Sequence, residues 1–169
     1  MSVEHTDRFE SREQVVETLG RNRDLSGADM SGLDLSGIKF AALNMEGADL
    51  SNANLQGATL AAGNMAGVDL SGAMLNGARI AAANLEGANL AEADLTETSW
   101  YGVNVSGADF GGAKTTGSRA TGVNWSEAEV PPADLPEPAP VPPWLPALVA
   151  GIGVLIVVVI ILAMKRRRA

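Results

Sequence analysis

The sequence predicts an all-β solenoid followed by one apolar helix, and three observations predict it. From Asp24 to about Val130 the chain repeats every five residues, beginning DLSGA, DMSGL, DLSGI, KFAAL, NMEGA, DLSNA, NLQGA. This period is neither the 2 of a half-buried strand nor the 3.6 of an amphipathic helix. A short fixed period means stacking, because no single unit can bury its own apolar side and each leans on the next. The hydrophobic fraction is 46% but only 4% of the chain is aromatic, so a conventional mixed core is not expected. Finally, no charge occurs from Pro138 to Met164.

Within the five-residue unit the slots differ in chemistry. One slot holds Leu25, Met30, Leu35, Phe40, Met45, Leu50, Leu55, Leu60, Met65, Leu70, Leu75, Ile80, Leu85, Leu90 and Leu95. Two residues before the next large one stands a small or apolar residue such as Ala28, Leu33, Ile38, Ala48, Ala53, Ala58, Ala73, Ala78, Ala83, Ala88 or Ala93. One large and one small inward residue per unit fill a narrow interior without voids. The slot between them is Asp, Asn or another polar residue, and Ser, Gly, Ala or Glu follow, as suits a corner and solvent.

The recurring A(D/N)LxG pattern resembles the pentapeptide-repeat family over roughly residues 24–130. The resemblance implies a right-handed quadrilateral β-helix with four units, or 20 residues, per coil, and hence about five coils. The polar slot supports a 20-residue step independently. One file reads Asp24, Asn44, Asn64, Asn84, Asn104, Asn124; a second reads Asp29, Asp49, Asp69, Asn89, Asp109, Glu129. The third is mixed, with Asp34, Asn54, Met74, Asp94 and Lys114, and the fourth reads Lys39, Thr59, Arg79, Ser99, Arg119. Files that keep their character at this step, while neighbours five residues away differ, describe a four-sided prism. Asn side chains stacked about 4.8 Å apart either join as an amide ladder or serve solubility and backbone capping. Stacked Asp repels itself, so the second file is expected to cost stability and to mark a useful acidic face. The basic file of Lys39, Arg79 and Arg119 is the other candidate face.

Open ends of such a stack need covers. Residues 1–22 are expected to supply one: Ser11-x-x-Gln14 reads as a capping box, Val15, Val16 and Leu19 as an apolar stripe, and Gly20 as a stop. At the other end the large slot decays to Thr115 and Ala120 before Trp125, which predicts a weaker last coil closed by that indole. Trp100, larger than its neighbours, predicts a local distortion near Trp100 and Tyr101.

The solenoid is thus expected over 23–130, followed by a Pro-rich spacer at 131–143 with seven prolines in thirteen residues. Residues 144–164 follow as a single-pass transmembrane helix. Its 18-residue apolar core spans about 27 Å, near the hydrocarbon thickness of a bilayer. Trp144 suits one interface, while Lys165, Arg166, Arg167 and Arg168 in the 165–169 tail flank the other. Ala147 and Gly151 form one small-xxx-small pair, a feature of helix dimers. Positive-inside places the basic tail in the cytoplasm, whereas residues 1–20 show no apolar signal segment for exporting the solenoid. The expectation adopted is a tail anchor, with the solenoid cytoplasmic and the tail translocated. The order Pro136-Glu137-Pro138, apolar stretch and Arg cluster also resembles the bacterial PEP-CTERM sorting signal, with a longer gap after the motif.

Charge and residue inventory narrow the function. The net charge is −8, and four of the twelve basic residues sit in the tail, so the rest is more acidic still. Direct nucleic-acid binding, which needs clustered Lys and Arg, is not expected. With no Cys and only His5, the usual nucleophile-base pairs and His- or Cys-built metal sites are excluded, and no cofactor is expected. Stacked carboxylates point parallel rather than converging on a cation. The chain is therefore expected to be non-enzymatic: a membrane-anchored scaffold for an unidentified protein partner, with the bilayer and a homodimer as further partners. The alternatives are an acidic DNA-mimic inhibitor of a type II topoisomerase, a role the family resemblance brings, and a self-associating spacer on the membrane surface.

Overall fold

The computed structural model describes residues 8–138. They form a parallel stack of coils with a 20-residue step. Four ladders run along it: Asp24 pairs with Asn44, Asp29 with Asp49, Asp34 with Asn54 and Lys39 with Thr59, each continuing upward at the same spacing. The coils are 24–43, 44–63, 64–83, 84–103 and 104–123, so the four-sided, five-coil expectation describes the observed stack.

On the fourth side the ladder widens into short strands, β1 (Lys39–Ala41), β2 (Thr59–Ala61), β3 (Arg79–Ala81), β4 (Ser99–Tyr101) and β5 (Arg119–Thr121). They form one parallel sheet in strict register, with Phe40 on Leu60, Leu60 on Ile80, Ile80 on Trp100 and Trp100 on Ala120. The other three sides are single bridges separated by tight turns. In the first, the Ala28 amide donates to the Leu25 carbonyl at 3.1 Å, and Gly27 supplies φ +66° at the third turn position, as a type II turn demands. The equivalent residue is left-handed in every unit of the five coils. Fourteen of these residues are glycine, and the others are Ala42, Asn52, Ala62, Ala82, Glu92 and Glu97.

The large and small slots both point inward. Leu25, Met30, Leu50, Leu70 and Leu90 have no accessible surface, and neither do Ala48, Ala53 and Ala73 between them. Three inward positions are polar, Thr98, Thr115 and Ser118, and the Thr115 hydroxyl bonds to the Asp134 carbonyl. The other two hydroxyls donate to the carbonyl three residues earlier, Thr98 Oγ1 to Leu95 at 2.7 Å and Ser118 Oγ to Thr115 at 2.5 Å. The coil interior therefore keeps no orphaned polar side chain among the described residues.

The first coil is covered by α1 (Arg12–Arg21), whose N-cap Ser11 accepts from the Gln14 amide while Gln14 Oε1 accepts from the Glu10 amide. The capping box is thus shared with Glu10. Gly20 does not end the helix: Asn22 does, its amide donating to Thr18 at 2.8 Å. Of the expected stripe Val15 is fully buried, Leu19 packs partly and Val16 faces solvent. Two bonds seat the cover on the exposed coil edge, Phe9 N–H on the Asp29 carbonyl at 2.8 Å and Arg12 Nη1 on the Ser36 carbonyl at 2.6 Å.

The far end departs more from expectation. A one-turn 3₁₀ helix at Trp125–Glu127 inserts one residue, so that Asp109 pairs with Val130 rather than Glu129. Residues 131–138, expected within the spacer, continue across the last coil. Pro132 and Pro136 are buried, Thr115 Oγ1 donates to the Asp134 carbonyl, and β6 (Glu137–Pro138) pairs with β5. The physical reason is the edge. Prolines carry no N–H, so a Pro-rich strap satisfies the coil beneath and offers few donors above, which stops strand addition. The Pro136-Glu137-Pro138 motif is part of that strap.

No distortion occurs at Trp100. It is fully buried with β4 in register, because the file above it shrinks to Ala120 and the indole N–H finds Thr98 Oγ1 at 2.8 Å. Its ring meets Phe110 and Trp125 edge-on, with centroids 6.0 and 5.5 Å apart, and those two meet at 5.4 Å. Phe110 of the last coil thus packs with Trp100 of the coil before it and with Trp125 beyond it, so that the expected indole does close this end.

Among the described residues no helix is long and apolar enough to cross a membrane. The expected transmembrane segment 144–164, Trp144 and the basic residues Lys165, Arg166, Arg167 and Arg168 lie outside the described residues.

Candidate interaction faces

Each side of the prism presents its polar slot outward, and the files settle into distinct chemistries. The first is an amide ladder. Asn44 Nδ2 donates to Asp24 Oδ1 at 3.0 Å, Asn64 to Asn44 at 3.1 Å, Asn84 to Asn64 at 3.4 Å and Asn104 to Asn84 at 2.7 Å. The same Oδ1 atoms accept the amide two residues on, as Asn104 does from Ser106 at 3.1 Å. Ladder and turn cap therefore coexist in one side chain. Asn124 leaves the file, since the 3₁₀ turn carries its amide to Glu127 Oε1 at 2.7 Å.

The second file contains Asp29, Asp49, Asp69, Asn89 and Asp109, and Glu129 is excluded by the register shift. Their retention has a local reason that composition did not reveal: each Oδ1 caps its own turn. It accepts from the amides of Ser31 at 3.0 Å, Ser51 at 2.9 Å, Ser71 at 2.9 Å and Gly111 at 2.7 Å. Asn89 interrupts the row of charges and donates to Asp69 at 3.2 Å. Asp29 also has Arg8 at 3.9 Å, and its carboxyl is held below the ordinary range chiefly by the Ser31 hydroxyl and amide. Asp34 in the third file is lowered likewise by Ser36.

The fourth file lies on the strand side, two units away and thus opposite the Asp file. Lys39, Arg79 and Arg119 stand exposed on β1, β3 and β5, alternating with Thr59 and Ser99. None of the three forms an ion pair among the described residues. Beside them the outward strand positions are Ala41, Ala61, Ala81, Tyr101 and Thr121, which leaves the sheet flat apart from half-exposed Tyr101. No group of acidic or His side chains among the described residues is placed to hold a metal ion.

Comparison with known proteins agrees with this geometry. Pentapeptide repeats match in eight copies over residues 24–57, 53–90, 78–114 and 88–126, more than half of the chain. HetL from the cyanobacterium Nostoc, a protein involved in heterocyst differentiation regulation, superposes with a TM-score of 0.63 at 21% identity. That match covers 66% of this chain, which spans only 47% of HetL, about half its length. A protein from the Arabidopsis thaliana thylakoid lumen gives 0.57 at 30% identity, covering 62% of this chain and 71% of that one. Rfr23 from the cyanobacterium Cyanothece gives 0.50 at 23% identity, covering 68% and 99%. No curated protein matches the sequence. The match of the repeats over coils that the structure stacks in register places the chain in the pentapeptide repeat family.

Proposed function

We propose that the chain is a non-enzymatic scaffold, held at a membrane by residues 144–164, that docks proteins on the flat sides of its solenoid. The solenoid is cytoplasmic in this reading and the basic tail crosses the bilayer. The observation that carries it is the segregation of chemistry by side: a basic strand face, an acidic face opposite, and an amide ladder between, all on a rigid stack with a closed interior. Rigid faces of this kind bind without an ordering penalty. The uncharged apolar segment supports the tether by its length and flanking residues.

The topoisomerase-inhibitor reading draws less support. Asn89 breaks the row of carboxylates, and the opposite side of the solenoid is basic. The discriminating experiment is capture of partners from detergent-solubilised membranes by the full chain. Asp49, Asp69 and Asp109→Asn keep each turn-capping Oδ1 and remove the charge; Arg79 and Arg119→Gln neutralise the other side. A partner lost with only one set locates the docking face. Equal capture by both sets contradicts docking on charged faces.

A further inference from the structure

The acidic and basic faces are matched to each other level by level. The first coil carries Asp29 and Lys39, the third Asp69 and Arg79, and the fifth Asp109 and Arg119. In the fourth coil both positions are neutral, Asn89 and Ser99. Only the second coil leaves an Asp, Asp49, level with an uncharged residue, Thr59. The basic row therefore steps by two coils, about 9.6 Å, and the acidic row holds a carboxylate in each of the same coils.

We propose that the partner of the basic strand face is the acidic face of a second copy of this chain. The proposal rests on the scaffold reading above and names the docked protein. A sideways translation with an axial shift of about half a coil, about 2.4 Å, sets Lys39, Arg79 and Arg119 of one copy at the levels of Asp29, Asp69 and Asp109 of the next. Two solenoids lying parallel and in the same direction, offset by that shift, have this relation. The contact is heterologous, so it repeats and builds a row of solenoids rather than a closed dimer. Flatness permits the approach, since the strand face exposes mostly Ala, Thr and Ser between its charges, and the acidic face exposes Ser31, Ser51, Ser71, Ala91 and Gly111. The second carboxylate oxygens of Asp49, Asp69 and Asp109 have no partner within the described chain and remain available to a guanidinium. Asp29 is shared with Arg8, so the third and fifth levels hold the contact most strongly. Single exposed ion pairs are weak. Repetition at three levels and confinement to a surface make them additive.

The chain has no cysteine, which gives a direct test. Two full-length variants are co-expressed, Ser71→Cys on the acidic face and Ala81→Cys on the basic face of the same coil. A short bis-maleimide is then applied to the membrane and soluble fractions, and cross-links are scored in whichever fraction holds the chain. The mixed pair is expected to exceed either like pair several-fold. It should fall to background in about 1 M salt, where screening is strong, and with Arg79→Gln plus Arg119→Gln. Equal yields of mixed and like pairs, no mixed product, or a mixed product indifferent to salt overturns the proposal. Chain in the membrane fraction without a mixed product overturns self-association alone. Chain in the soluble fraction overturns the tether, and the mixed pair still decides self-association there.

Discussion

Asn104 donates its side-chain amide to Asn84 Oδ1 at 2.7 Å, and Asn84 in turn donates to Asn64. One residue is thus donor below, acceptor above and cap of its own turn, since Glu86 N–H also points at Asn84 Oδ1. Asn84→Asp keeps both acceptor roles, loses the donor and sets a carboxylate against Asn64 Oδ1. The expected loss is about 1–2 kcal/mol in urea unfolding near pH 7. Acidification to about pH 3 should recover part of it, relative to the parent chain, as the carboxyl protonates.

Leu70 has no accessible surface and lies mid-stack, with its amide bonded to the Asn89 carbonyl at 2.7 Å. Leu70→Lys places an unpaired charge in a channel one side chain wide and should abolish folding, because such a burial costs several kcal/mol. Leu70→Met conserves volume and should cost under about 1.5 kcal/mol. Circular dichroism melts compare the two. A Lys variant melting with the parent contradicts the inward assignment.

Ala62 and Ala82 sit at φ +51° and +49° at the corner after the strand side, where the coils above use Gly102 and Gly122. A Cβ in this region is strained, and only glycine visits it without penalty. Ala62→Gly and Ala82→Gly should therefore each raise stability by about 0.5–1 kcal/mol, although glycine loses more freedom on folding. Gly102→Ala should lower it despite the open space around that position. The same sign for both directions of exchange contradicts the corner geometry.

The Ser31 and Ser36 contacts hold the Asp29 and Asp34 carboxyls below their ordinary 3.8 in the folded chain. The folded state thus favours the charged form, so the contribution is complete above the unfolded value. It is lost as pH falls through the lower folded value. The urea midpoint should fall from about pH 5 towards pH 2, and Asp29→Asn with Asp34→Asn should lessen that fall. An acid limb unchanged by the pair contradicts the assignment of the shifts.

What the sequence made legible is what stacking forces to repeat. A large inward residue every five positions, and one file every 20, follow from the width of the coil, so Leu25 to Trp100 could be read without coordinates. The ends were harder because they are where the repeat yields to edge chemistry. Seven prolines read as a spacer by composition, yet Pro132 and Pro136 are buried because the last coil needed a cover without donors. The extra residue at Trp125–Glu127 moved Asn124 and Glu129 off their files, and nothing in the pentapeptide spelling marks that slip. The Asp file read as repulsion because a file shows only what stacks on what. The amides of Ser51 and Ser71 that hold Asp49 and Asp69 lie within the unit. Trp100 read as a misfit because its partners, Thr98, Phe110, Ala120 and Trp125, come from different units of two coils and from the 3₁₀ turn beyond them.

The central claim, a solenoid held at a membrane by residues 144–164, is tested most directly by alkaline carbonate extraction of cells expressing the full chain or a chain lacking residues 144–169. The account predicts that the full chain resists extraction and that the truncated chain is recovered soluble and folded. Protease added to sealed cells should leave the full chain intact. A full chain extracted like its truncation contradicts the tether, and external cleavage after residue 138 that sheds the solenoid contradicts its cytoplasmic placement.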